Sequence, residues 1–185
     1  MTLPGWLGSG PEHWQSRWER LYGDVRVEQH DWQQPLRGDW ITRLEDTLQN
    51  QLKAQPARPI VFVAHSLGCH LVASWAALSP NVSKVAGALL VAPPDPEHLE
   101  LPPQLHSWVK PMSPVLDKLP FKTTLVASSR DPFCKIDASQ KLAQLWGSSF
   151  VNVGELGHIN AESGLGDWPA GREILMQLIN LPRQT

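Results

Sequence analysis

Apolar positions along the chain fall into two kinds of pattern. Ile60–Ala64, Val85–Ala92 and Thr123–Ser128 are short, nearly continuous apolar runs rich in β-branched residues, the mark of strands buried on both faces. Around them, apolar residues recur at helical spacing. Trp40, Ile41, Leu44, Leu48 and Leu52 predict a helix over Trp40–Leu52, and Leu67–Leu78 predicts another that stops at Ser79-Pro80. His13–Leu21 reads as a helix behind a Gly/Ser/Pro-rich loop. Asp137 reads as the N-cap of a helix through Leu145 or Trp146, and Trp168-Pro169 precedes a final helix, Ala170–Leu181. Val25–His30 and Phe150–Val153 are shorter strand candidates, and a first strand has only Met1–Pro4 to draw on. The stretch Pro93–Pro120 is rich in proline, has no period, and reads as mostly loop.

Strands alternating with helices predict an α/β fold with a mostly parallel sheet and helices on both faces. No long helical insertion follows Ala92, so little or no cap domain is expected. A length of 185 residues suits one domain over 1–185, large enough to bury a core without disulfides or a structural metal.

Composition narrows the function classes. An apolar fraction of 42% against 18% charged residues is that of a globular chain. The net charge of -2 and a pI near 6.4, with no long like-charge run, give no footprint for nucleic acid or an anionic membrane. No apolar run approaches the roughly 18–20 residues that span a bilayer, and Met1-Thr2-Leu3-Pro4-Gly5 lacks the features of a signal peptide. A cytoplasmic protein is expected. Two cysteines, Cys69 and Cys134, make no disulfide framework; Cys69 reads as a core residue, and Cys134, near Asp131, is assigned no chemistry. Histidines and cysteines show no metal-ligand spacing, and no cofactor is expected. Nine tryptophans stand against one tyrosine; Trp6, Trp32 and Trp108 are candidates to shape a pocket.

The strongest chemical signal is Ala64-His65-Ser66-Leu67-Gly68, between a buried strand and a helix. A serine on such a turn projects its hydroxyl above the sheet edge, and the N–H of the next residue, Leu67, is free to receive an oxyanion. Ala64 stands where the elbow pattern has glycine and is small enough to replace it. The bland alternative is a serine that merely caps the helix. A nucleophilic serine needs a base and an acid to orient the base, each on a loop after a later strand. Asp131 follows Thr123–Ser128, and His158 follows Phe150–Val153. The alternatives are a turn aspartate before Pro132 and a solvated loop histidine, but the order and placement fit the triad. Asp95 is the second choice of acid. His65 is expected to point away from the nucleophile and to pack, His70 to be structural, and His13, His30, His98 and His106 to lie outside the site. The glycine-rich loop Pro4–Gly10 is the candidate for a second oxyanion donor, from the Trp6 N–H with Leu7 as fallback. It carries no phosphate-loop motif.

Several segments together resemble the small serine hydrolases that include bacterial YdeN-type proteins and a mammalian retinoblastoma-binding homologue. They are Pro4-Gly5-Trp6 through His13-Trp14-Gln15; His30-Asp31-Trp32 with Pro35, Asp39 and Trp40; His65-Ser66-Leu67-Gly68; Asp131-Pro132; and Gly157-His158-Ile159-Asn160 with Ser163-Gly164. The resemblance covers nearly the whole chain. It implies an α/β-hydrolase with little or no cap, a triad of Ser66, Asp131 and His158, and esterase-like action on a small-molecule substrate. It leaves open a second class, a protein-binding module on a hydrolase scaffold.

Overall fold

The β-branched runs form the middle of one sheet. A computed structural model of the chain describes residues 1–95, 97, 102–109 and 117–180. Among these, five strands lie in the order β1 (Thr2–Leu3), β2 (Ile60–His65), β3 (Val85–Val91), β4 (Lys122–Ala127) and β5 (Ser149–Asn152), every pair parallel. Parallel neighbours need crossover connections, and helices supply them: α1 (Trp14–Tyr22) and α2 (Arg37–Ala54) before β2, α3 (Leu67–Ala76) before β3, α4 (His106–Val109) before β4, α5 (Ile136–Trp146) before β5, then α6 (Pro169–Asn180).

Successive strand residues point to opposite faces, and the core divides accordingly. Phe62 and Ala64 of β2, Ala88 and Leu90 of β3, and Leu125 and Ala127 of β4 pack with Leu44, Leu71, Trp75 and Trp146 of α2, α3 and α5. Val63, Leu89, Val91 and Val126 turn the other way, onto Trp14 and Trp18 of α1 and Leu175 and Leu178 of α6. The central strands are therefore buried and mostly apolar on both faces, with Thr123, Thr124 and His65 as buried polar exceptions, and the sheet is covered on both sides. Because all strands run the same way, the loops after β2, β4 and β5 emerge at one edge.

Three expectations change, and a fourth falls partly outside the described residues. Val25–His30 is not a strand: only Arg26 pairs, with Thr2, through Thr2 N–H to the Val25 carbonyl and Val27 N–H to the Thr2 carbonyl. A two-residue β1 offers no longer ladder to join. Asp137 is not the N-cap of α5; Lys135 is, its carbonyl accepting the Ser139 N–H, and Asp137 sits in the first turn beside the positive end of the helix dipole. Pro169 opens α6 itself, at the position where a missing N–H costs nothing. Within 93–120 the described residues contain a short 3-10 turn, Pro103–Leu105, running into α4. Residues 96, 98–101 and 110–116, His98 among them, and Leu181 at the expected end of the last helix, lie outside the described residues.

Candidate active site

Ser66 closes β2 and precedes α3. Its N–H donates to the Val91 carbonyl, and its φ of 54° and ψ of −125° are costly for a residue with a Cβ. The side chain caps nothing, which disposes of the helix-cap alternative. Two glycines permit this turn. A Cβ on Gly68 would collide with the Leu3 carbonyl oxygen, so α3 can lie against β1 only with glycine there. Gly5 lets the N-terminal loop lie close against the serine, where a Cβ would also collide.

The structure brings Ser66, His158 and Asp131 into one hydrogen-bonded chain. His158 Nε2 lies 2.9 Å from Ser66 Oγ, and Nδ1 lies 3.0 and 2.9 Å from the two carboxylate oxygens of Asp131. An ionised carboxylate only accepts. Nδ1 therefore carries the proton, and the Nε2 lone pair receives the Ser66 hydroxyl. The side chains of His158 and Asp131 are 10% and 1% exposed, so the pair is largely screened from water. Asp131 is also the turn residue its sequence context suggests, because Oδ1 accepts the Phe133 N–H at 2.9 Å. Asp95 takes no part in this chain; its carboxylate accepts the Glu97 N–H.

The loops that carry these groups are tied together. Ser128, fully buried at the end of β4, accepts the N–H groups of Arg130 and Leu156 on its hydroxyl and so joins the Asp131 and His158 loops. Ser163 Oγ donates to the Leu156 carbonyl and accepts the Asn160 N–H. Trp14 Nε1 donates to the Ile159 carbonyl at 2.8 Å. The Phe133 ring, 51% exposed, stands 4.6 Å from the His158 imidazole. None of these four was singled out as a site residue from sequence. Ser128 carried a signal in ending a buried strand; Trp14 and Phe133 depend on contacts far along the chain, and Ser163 on the local fold of the 156–163 turn.

His65 packs as expected, 5% exposed, but it does not point away from the site. Its Nε2 lies 2.9 Å from the His158 carbonyl, and its ring lies 4.9 Å from that of His158 and 4.7 Å from that of His13. Burial, then the neighbouring His13 and His158, holds its pKa well below the ordinary value. Its neutral ring must be the Nε2–H donor. His13 caps α1, accepting the Gln15 N–H on Nδ1, and its pKa is pushed down to about 4 by burial, then by Arg26 and His158. His70 Nε2 lies 2.9 Å from the Pro94 carbonyl, which can only accept, so Nε2 carries the proton and donates it; the ring is structural, against Trp146. His30 and His106 are exposed. Cys69 is fully buried and burial raises its thiol pKa.

Of the oxyanion candidates, Leu67 N–H and Trp6 N–H have no acceptor among the described residues. The fallback is corrected: the Leu7 N–H donates to the Trp32 carbonyl at 3.1 Å and is not available. Trp6 and Trp108 donate their ring N–H groups to Gln33 and Pro35 carbonyls, and the Trp32 ring lies against Gly8. These three hold the 31–36 loop. Among the described residues no group of three or more His, Cys, Asp and Glu side chains is disposed to hold a metal ion, and no helix is long and apolar enough to cross a membrane.

A parallel sheet with helices on both faces and a serine on the strand-to-helix turn defines an α/β hydrolase. The family model described as serine hydrolase matches residues 1–177, and the chain belongs to that family. A YdeN-like hydrolase from Pectobacterium atrosepticum is similar at 30% identity, over 96% of this chain and 88% of that one, with a TM-score of 0.80. The ydeN gene product of B. subtilis shares 20% identity over 97% of both chains, with a TM-score of 0.69. An esterase of Pyrococcus furiosus shares the fold at 14% identity, over 96% of this chain and 80% of that one, with a TM-score of 0.68. No curated protein matches the sequence.

Proposed function

We propose that this serine hydrolase cleaves small esters by acyl transfer from Ser66 to water. The observation that carries the reading is the unbroken chain from Ser66 Oγ through both ring nitrogens of His158 to Asp131. Ser66 attacks the ester carbonyl while His158 Nε2 takes its proton. Asp131 holds the tautomer and stabilises the imidazolium. The N–H groups of Leu67 and Trp6 receive the oxyanion. His158 returns the proton to the leaving alcohol, then draws one from water as that water attacks the acyl-enzyme. Esters are favoured over amides because an alcohol is the better leaving group and makes a smaller demand on the general acid. The exposed Phe133, its ring 4.6 Å from that of His158, offers apolar surface beside the base.

A fluorophosphonate probe, which reacts only with an activated serine, tests this. The wild type is expected to label, and Ser66→Ala and His158→Ala are expected not to. A folded wild type that does not label overturns the reading. A wild type that labels but hydrolyses no member of a panel of short-chain esters overturns the ester assignment alone.

A further inference from the structure

We propose that His65 is a positioning residue whose Nε2–H, donated to the His158 carbonyl, clamps the base loop to the turn that carries the nucleophile. The inference rests on the reading of Ser66, His158 and Asp131 as a working triad, and adds a residue that triad does not contain.

The loop needs a clamp. His158 lies between two residues in the left-handed region, Gly157 at φ 56° and Ile159 at φ 50°. Glycine tolerates that conformation, but a β-branched isoleucine does not adopt it freely. Such a backbone persists only where its surroundings hold it. Here two consecutive carbonyls are held by ring N–H donors: His158 by His65 Nε2 and Ile159 by Trp14 Nε1, at 2.9 and 2.8 Å. Both donors are buried, at 5% and 1% exposure, where water does not compete for the carbonyl and the bond is electrostatically stronger.

The position of His65 in the chain gives the bond its consequence. His65 is covalently adjacent to Ser66, so the contacts form a closed circuit. It runs from Ser66 through the peptide bond to His65, across Nε2–H to the His158 carbonyl, out along the His158 side chain, and back across Nε2 to Ser66 Oγ. The separation of nucleophile and base is set over one short path, independent of the loops at large. The donor also keeps its proton arrangement through the catalytic cycle. The titratable groups that face His65 are His13 and His158, with Arg26 acting on His13 and Asp131 behind His158. A neutral ring beside His158 adds no repulsion when His158 becomes imidazolium.

The test compares His65→Gln with His65→Asn. The Gln amide nitrogen reaches to about the place of Nε2, whereas the shorter Asn amide stops near the place of Nδ1. Both replacements are uncharged and similarly polar. Fluorophosphonate labelling is measured as a maximal rate constant and an apparent affinity, beside the melting temperature. Asn is expected to lower the rate constant about 10²-fold, the scale on which an ångström of misplacement acts, with affinity unchanged; Gln is expected to stay within about 5-fold of wild type. A folded Asn variant that labels as fast as wild type overturns the clamp while leaving the triad standing. So does a Gln variant that falls about as far as Asn at an unchanged melting temperature. If Asn does not fold, the Gln variant decides alone: labelling near the wild-type rate supports the clamp, and a large loss at an unchanged melting temperature overturns it. A wild type that does not label overturns the triad, and the clamp with it.

Discussion

A side-chain carbon on Gly5 would lie 2.7 Å from the Cβ of Ser66, and 3.1 and 3.2 Å from the His65 carbonyl oxygen and the Leu67 nitrogen. The N-terminal loop therefore touches the Ser66 turn with backbone alone. In Gly5→Ala one side must move, and it is the loop, because the turn is fixed between β2 and α3. The Trp6 N–H moves with it. Ester hydrolysis is expected to fall about 10²-fold in kcat, the scale of one lost oxyanion donor, with a small fall in melting temperature. Gly68→Ala is expected to be worse. Its added carbon meets the Leu3 carbonyl, which has no rotamer to change. A loss of about 3 kcal/mol or failure to fold is expected, measured by urea unfolding.

Asp131→Asn keeps the shape of the site and reverses its proton arrangement. An Asn amide can donate to Nδ1, which leaves the proton on Nε2, where it faces Ser66 instead of accepting from it. The expected result is a fall in kcat of about 10⁴ with KM little changed. The melting temperature should stay near that of the wild type, because the side-chain oxygen can still accept the Phe133 N–H. Steady-state hydrolysis with a short-chain ester and a thermal melt check both halves.

Much of this was legible in the chain. β2, β3 and β4 were readable because strands buried on both faces carry short, nearly continuous apolar or β-branched runs. Ser66 and Asp131 were readable because each follows such a strand, and His158 because it follows the last, shorter strand β5; in a parallel sheet those positions share an edge. The single bridge at Arg26 was not, since Val25 and Val27 alternate as a strand would and only the shortness of β1 stops the ladder. The role of His65 was not readable either. Its neighbour on the turn points at His158, and alternation alone sends His65 to the other side. The contact exists because the His158 loop folds back, through Gly157 and Ile159, to set its own carbonyl over the ring.

Buried histidines make stability depend on pH. The pKa of His13 is pushed down to about 4, and those of His65 and His70 are lowered by burial first. An unfolded chain binds these protons near pH 6.5 and the folded protein does not, so between about pH 6.5 and 4 the unfolded state holds more protons. Stability is therefore full above that window and falls as the pH drops through it. For His13 the span corresponds to a contribution on the order of 3 kcal/mol. His13→Asn keeps a good helix cap and removes one titrating group. Urea unfolding at several pH values between 4 and 7 should show a shallower slope for the variant, by up to one proton. An unchanged slope would assign the acid sensitivity to the other histidines.

Trp14→Phe separates holding the fold from holding the base. Phenylalanine keeps an aromatic ring against Trp18 and Trp168, whose rings lie 4.9 Å away, but it cannot donate to the Ile159 carbonyl. That carbonyl is left without its partner beside a fully buried side chain, at a cost of about 1–3 kcal/mol. Activity should suffer less than stability, since the His158 carbonyl is still held by His65. The two donors nevertheless grip neighbouring carbonyls of one strained stretch, so their effects cannot be independent. Once either is gone the strained stretch relaxes in part, and the second has less left to hold. In the double variant His65→Asn/Trp14→Phe, the loss of labelling rate is expected to be smaller than the product of the two single losses. The departure should exceed the roughly 0.3–0.5 kcal/mol within which unconnected sites add. Multiplicative losses would mean that the two rings support the loop separately, and that the strain at Ile159 is absorbed elsewhere.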